Sequence, residues 1–549
     1  MANNKTGKKT NFIVQGGFGS IVMFVICILE LIRRVMVTNL IGDEGNGMFS
    51  AAYEIYMLFI LFFSYGIPLT VPKMLTARIS RGQVKNAGRI ARIAFFYGFV
   101  GSTVAFLILF FGAETLMSGL LKDPLSQLAL KCLAPSVILA SLIASFEAFF
   151  MGMGMKKPVW ISRIISQIFQ LITALFFCTY LYSYGKKIGA VLNNSTLNSA
   201  YGSAGYAASF GLGMFFSFGF LVFLYLAFRS EYRNRKTQDT TKNQESYREI
   251  GLLMAANLLP VLLYSLSTGV GTLVSQILFN SHMAHSPDSA LMNVYWGVFY
   301  GKYRVLVMFP LAVISIYGTS VIPQISVLIK KDESHLVKQR ILQVIRTTII
   351  FIIPFSVLYF VLAQPLTEGL FHGELKLAAS MLKYGALYLL FASLTIVSGA
   401  VMQAAGKFRV VLLNSMIALG INIIFVAAML GLTDAGIYAV VYAGIVSALC
   451  NMMLNVIYTI RKMKLRPEYI NTILKPVGAG VFMALLMYLL ENFLLKALGP
   501  LLSVLIVFIA GVILYYFCII ILRTLKETEV RELPFGDLLI RIGKIVNAI

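Results

Sequence analysis

Residues 501–522 read LLSVLIVFIAGVILYYFCIIIL. They carry no charge, and about 20 apolar residues suffice to cross the hydrocarbon of a bilayer as a helix. The same rule marks fourteen spans along the chain: 12–38, 48–74, 93–113, 127–153, 160–183, 206–228, 250–279, 293–329, 341–363, 379–404, 410–432, 436–460, 473–495 and 501–522. The eighth is too long for one crossing and is expected to continue as helix into water. Composition agrees. Of the 549 residues, 58% are hydrophobic and only 13% are charged, with a mean hydropathy of +0.82. A soluble protein needs roughly a quarter of its residues charged. The fold class is therefore an all-α polytopic membrane protein of fourteen transmembrane helices.

The net charge of +23 would suggest nucleic acid in a soluble chain. Its distribution argues otherwise. Thirty-three of the 46 Lys and Arg residues fall in alternate connections, such as 78–92 and 229–248, and five in the opposite set: Lys122, Lys186, Lys187, Lys376 and Lys496. The positive-inside rule then places both termini in the cytoplasm. The basic start, MANNKTGKKTNF, leads into an apolar stretch too long for a signal-peptide core, so it reads as an uncleaved first span. Five scattered cysteines, all in apolar stretches, argue against disulfides or a metal cluster, and HMAH (282–285) has no third ligand nearby.

Two pairs of residues recur at one offset. Pro72 matches Pro323 and Lys156 matches Lys407, each 251 positions on, at corresponding span ends. Two parallel six-span lobes follow, an N-lobe (1–228) and a C-lobe (250–460), with a substrate site expected between them. The stretch 229–249 reads as a solvated cytoplasmic linker, 473–522 as two added spans, and 523–549 as an amphipathic tail on the cytoplasmic leaflet. No extramembrane segment is large enough for an enzyme domain. No GxxxxGK[ST] loop is present to couple ATP, and no acidic-pair loop or Ser/His/Asp set is evident.

Ionisable groups inside the bilayer cost at least about 2.5–3.5 kcal/mol each and call for a reason. Lys73, Lys131, Arg346 and Lys383 lie near span ends and can snorkel. Lys73 stands out because it follows Pro68 and Pro72, which loosen span 2. Arg33, Arg34, Lys302 and Arg304 lie deeper. Glu30 is placed to pair with either arginine of span 1, and Glu54 is the other outer-half carboxylate. Four cations against two carboxylates leave a positive surplus suited to an anion, and the guanidinium fork suits phosphate. Tyr53, Tyr56, Tyr295, Trp296, Tyr300 and Tyr303 flank the region as sugar-stacking or belt residues. Glu147 reads as an isolated carboxylate of span 4, either a coupling site for a proton or sodium ion or a hydrogen bond to a neighbouring helix.

At the residue level, NLIGDEGNGMFSAAYEIYMLFILFFSYGIPLTVPKML (39–75), FFMGMGMKKPVWISRIISQIFQ (149–170) and YGKYRVLVMFPLAVISIYGTSVIPQIS (300–326) resemble the polysaccharide-transport branch of the MATE-like (MOP) flippase superfamily. The nearest type is the stage V sporulation protein B / YtgP group, which includes MurJ-like lipid II flippases. The resemblance implies two lobes rocking between inward-open and outward-open states around a cationic cavity. It also implies a groove on spans 13 and 14 for a polyprenyl tail. Cavity arginines on spans 1, 2 and 8 are a family feature. Arg33 or Arg34 takes the span 1 role and Arg304 the span 8 role, while span 2 offers only Lys73, and Pro323 sits at the inner end of span 8 as a gating candidate.

The expectation is a flippase that moves an undecaprenyl-pyrophosphate-linked saccharide, first of all lipid II, from the inner to the outer leaflet of a bacterial cell membrane. It is not expected to be an enzyme or to carry a cofactor. Direction would come from Na+, H+ or the membrane potential. Membrane lipids and cell-wall synthesis proteins are the expected partners, and nucleic acid is not. The alternatives are a capsule, teichoic-type or spore precursor as cargo, a MATE-type cation/drug antiporter, a membrane enzyme acting on polyprenyl phosphates, and a non-transporting scaffold.

Overall fold

The computed structural model describes residues 18–241, 244–463 and 468–524. Among these residues the chain is helical throughout, interrupted by short 3-10 and π turns, with no strand. Twelve helices are long and apolar enough to cross a bilayer, and they correspond to the expected spans 3 to 14. The segments expected as spans 1 and 2 are helical too, in α1 (Phe18–Ile60) and α2 (Ile67–Ile79). They fall short of that measure because α2 has only 13 residues and Glu30, Arg33, Arg34, Asp43, Glu44 and Glu54 all lie within α1. α1 is broken at Gly42, whose φ of 71° and ψ of −178° suit only a residue without Cβ. The eighth segment is continuous helix, from α9 (Met292–Val298) through a π turn at Phe299–Tyr303 into α10 (Arg304–Lys330).

The described chain forms two compact units. One comprises 28–302 and 423–440, and the other takes the remaining described residues. In the first, α6 (Lys157–Leu192) and α7 (Thr196–Thr237) pack along their length, and α5 (Gln127–Gly152) lies against α7 and α3 (Val84–Phe111). α8 (Tyr247–Met283) packs against α2 and α3, so the boundary by contact falls later than the boundary by repeat. In the second unit, α11 (Ser334–Val361) and α10 both pack on α13 (Leu375–Ala404). There α16 (Lys475–Leu498) pairs with α17 (Pro500–Ile521) and leans on α11.

The repeat is visible in the elements. α3 and α11 are both 28 residues long and start 250 positions apart. So do the short helices Ala113–Leu120 and Ala363–Leu370, which hydropathy alone did not mark.

The linker differs from expectation. α7 stays helical to Thr237, and the described residues after it, exposed for the most part, are pinned at Asp239 and 244–247. Arg78 of α2 makes two 3.3 Å bonds to the Glu245 carboxylate. Arg89 of α3 donates to the Glu245 carbonyl and to Gln244, and Arg92 donates to the Tyr247 hydroxyl at 2.8 Å. Asp239 accepts from the Lys85 backbone N–H at 2.7 Å, at the start of α3. These basic residues needed partners, and the linker's acidic and amide groups supply them. Of the expected amphipathic tail 523–549, only Arg523 and Thr524 lie within the described residues.

Candidate functional site

Consecutive residues on a helix point about 100° apart, so Arg33 and Arg34 cannot share one environment. The first unit gives each its own. Arg33 is 2% exposed. Its guanidinium lies 4.9 Å from the Phe210 ring and 5.7 Å from the Tyr206 ring, both on α7, and one terminal nitrogen donates to Gln170 Oε1 at 2.5 Å. Arg34 has a side chain 17% exposed, bonded through Nε to Glu30 at 3.3 Å. Its guanidinium lies 5.2 Å from the Tyr300 ring and 5.9 Å from that of Tyr53. Among the described residues its two terminal nitrogens have no hydrogen-bond partner. Phe49 joins the two cages, 4.2 Å from the Tyr206 ring and 5.4 Å from the Tyr53 ring. Aromatic faces attract cations through their quadrupole, so these rings keep two adjacent guanidinium groups charged in an apolar setting without cancelling them.

Lys302 is handled differently. It is fully buried, and its ammonium lies 2.8 Å from Asp43 Oδ2. Asp43 falls between the expected spans 1 and 2, and it lowers the positive surplus inferred from the intramembrane charges. The turn holding it is locked onto the helix that bears Lys302. Gly47 meets the Asn293 backbone and Gly297 meets the Asp43 carbonyl so closely that a Cβ at either would collide. Thr38 donates to the Gly301 carbonyl at 3.1 Å, and Trp296 Nε1 donates to Ser50 Oγ at 2.9 Å. Lys302 is thus a structural cation, whereas Arg34 keeps its donor fork open.

The remaining candidates divide. Glu54 is buried, 5% exposed, one turn from Ser50 on α1. Lys73 is exposed on α2 and makes no hydrogen bond or ion pair with the arginine cluster. Pro68 sits in the first turn of α2, just past a π-helical Leu61–Tyr65, and Pro72 lies inside the helix, so the expected loosening of span 2 is present in the backbone. In the second unit, Arg304 opens α10, half-buried and within electrostatic reach of Tyr388, and Pro323 lies inside the same helix. Tyr303 packs over Gly385 of α13.

Three readings need correction. Glu147, expected as an isolated carboxylate, is 4% exposed and held by both arms of Arg163, at 2.9 and 2.7 Å. Arg163 lies at the inner edge of the expected span 160–183 and is counted among the thirty-three basic residues of the connections. Arg346 does not snorkel. It is 5% exposed and bonds Glu468 Oε2 at 2.7 Å and the Thr524 carbonyl at 3.3 Å, which ties α11 to the segments beside α16 and α17. Trp296 and Tyr56 are buried and hydrogen-bonded, Tyr56 to Ser136 Oγ at 2.9 Å, so neither is a sugar platform. Lys131 and Lys383 behave as interfacial residues, Lys131 bonded to Gln127 at 3.3 Å and Lys383 lying 5.3 Å from the Phe360 ring.

A family model described as "Polysaccharide biosynthesis protein" matches residues 13–329, more than half of the chain. The chain belongs to this family. The lipid II flippase MurJ of Bacillus subtilis (strain 168) is 23% identical over 431 residues, covering 74% of this chain and 75% of that one. A solved structure of the lipid II flippase MurJ in an inward closed conformation superposes with a TM-score of 0.63 at 16% identity, over 91% of this chain and 97% of that one. An inward-facing multidrug resistance MATE family transporter of the MOP superfamily also gives 0.63, at 13% identity over 83% and 98%. The MOP-type fold and the polysaccharide-transport family expected from the sequence are borne out. The protein is a multi-pass integral protein of the bacterial cell membrane.

Proposed function

We propose that this protein is a flippase for a polyprenyl-pyrophosphate-linked saccharide, with lipid II the first cargo to consider. The observation that carries the reading is Arg34, whose charge is held by Tyr53 and Tyr300 while both terminal nitrogens remain open. An apolar bundle keeps such a donor fork for an anion, and a guanidinium pairs two phosphate oxygens at once. Kinship with MurJ supports a lipid-linked saccharide as the substrate class.

In this reading the pyrophosphate rests on Arg34, and Arg304 is a separate cationic candidate of the second unit. The polyprenyl chain stays in lipid along α16 and α17, whose Phe482, Leu485, Leu489 and Ile513 are exposed. Alternating access carries the headgroup across. Relatives of this kind are transporters rather than enzymes. The membrane potential can give direction, since each unit charge moved is worth about 2.3 kcal/mol per 100 mV. A coupled Na+ or H+ is the other source. Glu147 is a poor acceptor for that ion while Arg163 holds it.

Another polyprenyl-linked cargo, such as a capsule, teichoic-type or spore precursor, would use the same chemistry. A MATE-type exporter of cations would be repelled by this site. The test is complementation of a strain depleted of its lipid II flippase, at matched membrane levels. Wild type is expected to restore growth and Arg34→Ala to fail. Rescue by both would remove Arg34 from the site, and failure of an inserted wild type would remove lipid II as cargo.

A further inference from the structure

Gln170 is a polar side chain in the middle of α6, 4% exposed, in a stretch otherwise built for lipid and helix contacts. Burying an amide there is costly unless both its ends are satisfied. Its Oε1 accepts from Arg33 at 2.5 Å, and its Nε2 donates to Ser166 Oγ one turn earlier at 3.1 Å. Ser166 therefore fixes which way the amide points, with the oxygen toward the arginine. The seat for Gln170 is made by Gly213 of α7, where a Cβ would collide with Gln170 Cγ and approach the Ser166 carbonyl at 2.7 Å. Three residues on two helices thus serve one contact to a third helix.

We infer that Gln170 is a positioning residue of the anion site, fixing Arg33 as an internal charge so that Arg34 alone meets the ligand. This rests on the functional reading above. Arg33 is gripped on three sides, by the Phe210 face, the Tyr206 face and the amide, with Glu30 3.9 Å away. A guanidinium so held cannot swing toward a ligand. Its charge still acts on the neighbouring position, because a low-dielectric setting screens it weakly. Arg34 touches only ring faces and Glu30, and Glu30 is 43% exposed. The division follows from the relay. Without the acceptor, Arg33 would be free to reorient toward Glu30 and compete for the carboxylate that now steadies Arg34.

The test uses the full-length protein in detergent with farnesyl pyrophosphate as a soluble probe, and it follows both affinity and thermal midpoint. Arg34→Gln is expected to weaken binding at least about tenfold, in line with loss of charge-assisted hydrogen bonds. Gln170→Met, which keeps length but removes the acceptor, should weaken it several-fold. Gln170→Glu, which keeps the acceptor while its charge offsets part of the Arg33 field, should lose less than Gln170→Met. Ser166→Ala should fall between these if Gln170→Met does not fold. Equal losses for Gln170→Met and Gln170→Glu that track the thermal midpoint would overturn the positioning role. So would wild-type affinity in Gln170→Met.

A second readout needs no ligand. With the five native cysteines replaced, Arg34→Cys should react with a water-soluble thiosulfonate at least about tenfold faster than Arg33→Cys. Comparable rates would overturn the division. If wild type fails to bind the probe, the anion-site reading falls and this accessibility ratio still decides the relay.

Discussion

The two repeats share a skeleton and differ in charge. α3 and α11 match in length and register, yet Arg163 in the first repeat has Asn414 as its counterpart 251 positions on. The first repeat places an ion pair there, a buried Glu147 with a partly exposed Arg163, while the second places a neutral amide pair, Asn414 Nδ2 to Asn455 Oδ1 at 2.8 Å. The loop before α3 is held by a strap made by Asp239 and Glu245, whereas the loop before α11 borders a cavity of about 300 Å³ beside Asp332, Lys407 and Lys462. A duplicated fold has thus become chemically lopsided. The helix ends conserve geometry, and charge is concentrated in the repeat that also holds Arg33 and Arg34.

The largest expected effect tests whether the ion pair is structural. Arg163→Ala leaves Glu147 buried without its partner and should lower stability by about 3 kcal/mol. Asn414→Ala should cost about 1 kcal/mol, the worth of one hydrogen bond. Thermal or SDS unfolding in detergent measures both. Glu147→Gln combined with Arg163→Gln should recover most of the loss, and equal costs for the two single variants would erase the contrast between repeats.

A smaller effect is expected at the strap. Glu245→Ala removes the partner of Arg78, a partly exposed pair worth less than about 1 kcal/mol. Faster proteolysis between 237 and 247, reproduced in wild type by high salt, is the expected signature. Cleavage that ignores both salt and Glu245 would contradict the pinning.

The smallest effect concerns pH. Burial alone would raise the Asp239 carboxyl, but the bonds it accepts from the Thr241 hydroxyl and from the N–H groups of Lys85 and Thr241 outweigh that and hold it below its ordinary 3.8. A lowered carboxylate stabilises the docked strap above the ordinary value and loses that contribution as pH falls through the shifted one. Hydrogen exchange of the strap should therefore rise in acid in wild type and lose that dependence in Asp239→Asn. An unchanged acid response in the variant would assign it elsewhere.

Span positions were legible because hydropathy and charge alternation are one-dimensional signals, and both recur along the chain. Among the described residues the twelve long apolar helices follow the expected spans 3 to 14, and the oversized eighth segment runs as helix through its π turn. The site was legible only in part. Arg33, Arg34 and Lys302 announced themselves as charges in apolar stretches. Their partners did not. Gln170 lies 137 positions from Arg33 and Asp43 lies 259 from Lys302, and nothing local marks either as a partner. Arg163 hid at a span edge, where a basic residue needs no explanation. Strap contacts were missed for the opposite reason, since a polar stretch looks solvated until its binding surface is known.

In the proposed function the caged Arg34 carries an anionic lipid headgroup across the membrane. Translocation of a fluorescent undecaprenyl-pyrophosphate-linked saccharide in proteoliposomes, read by reduction of the outer-leaflet dye, tests this role. Wild type should accelerate transfer over protein-free vesicles, and Arg34→Ala at equal incorporation should return the rate close to that background. Equal acceleration by wild type and Arg34→Ala would contradict the account.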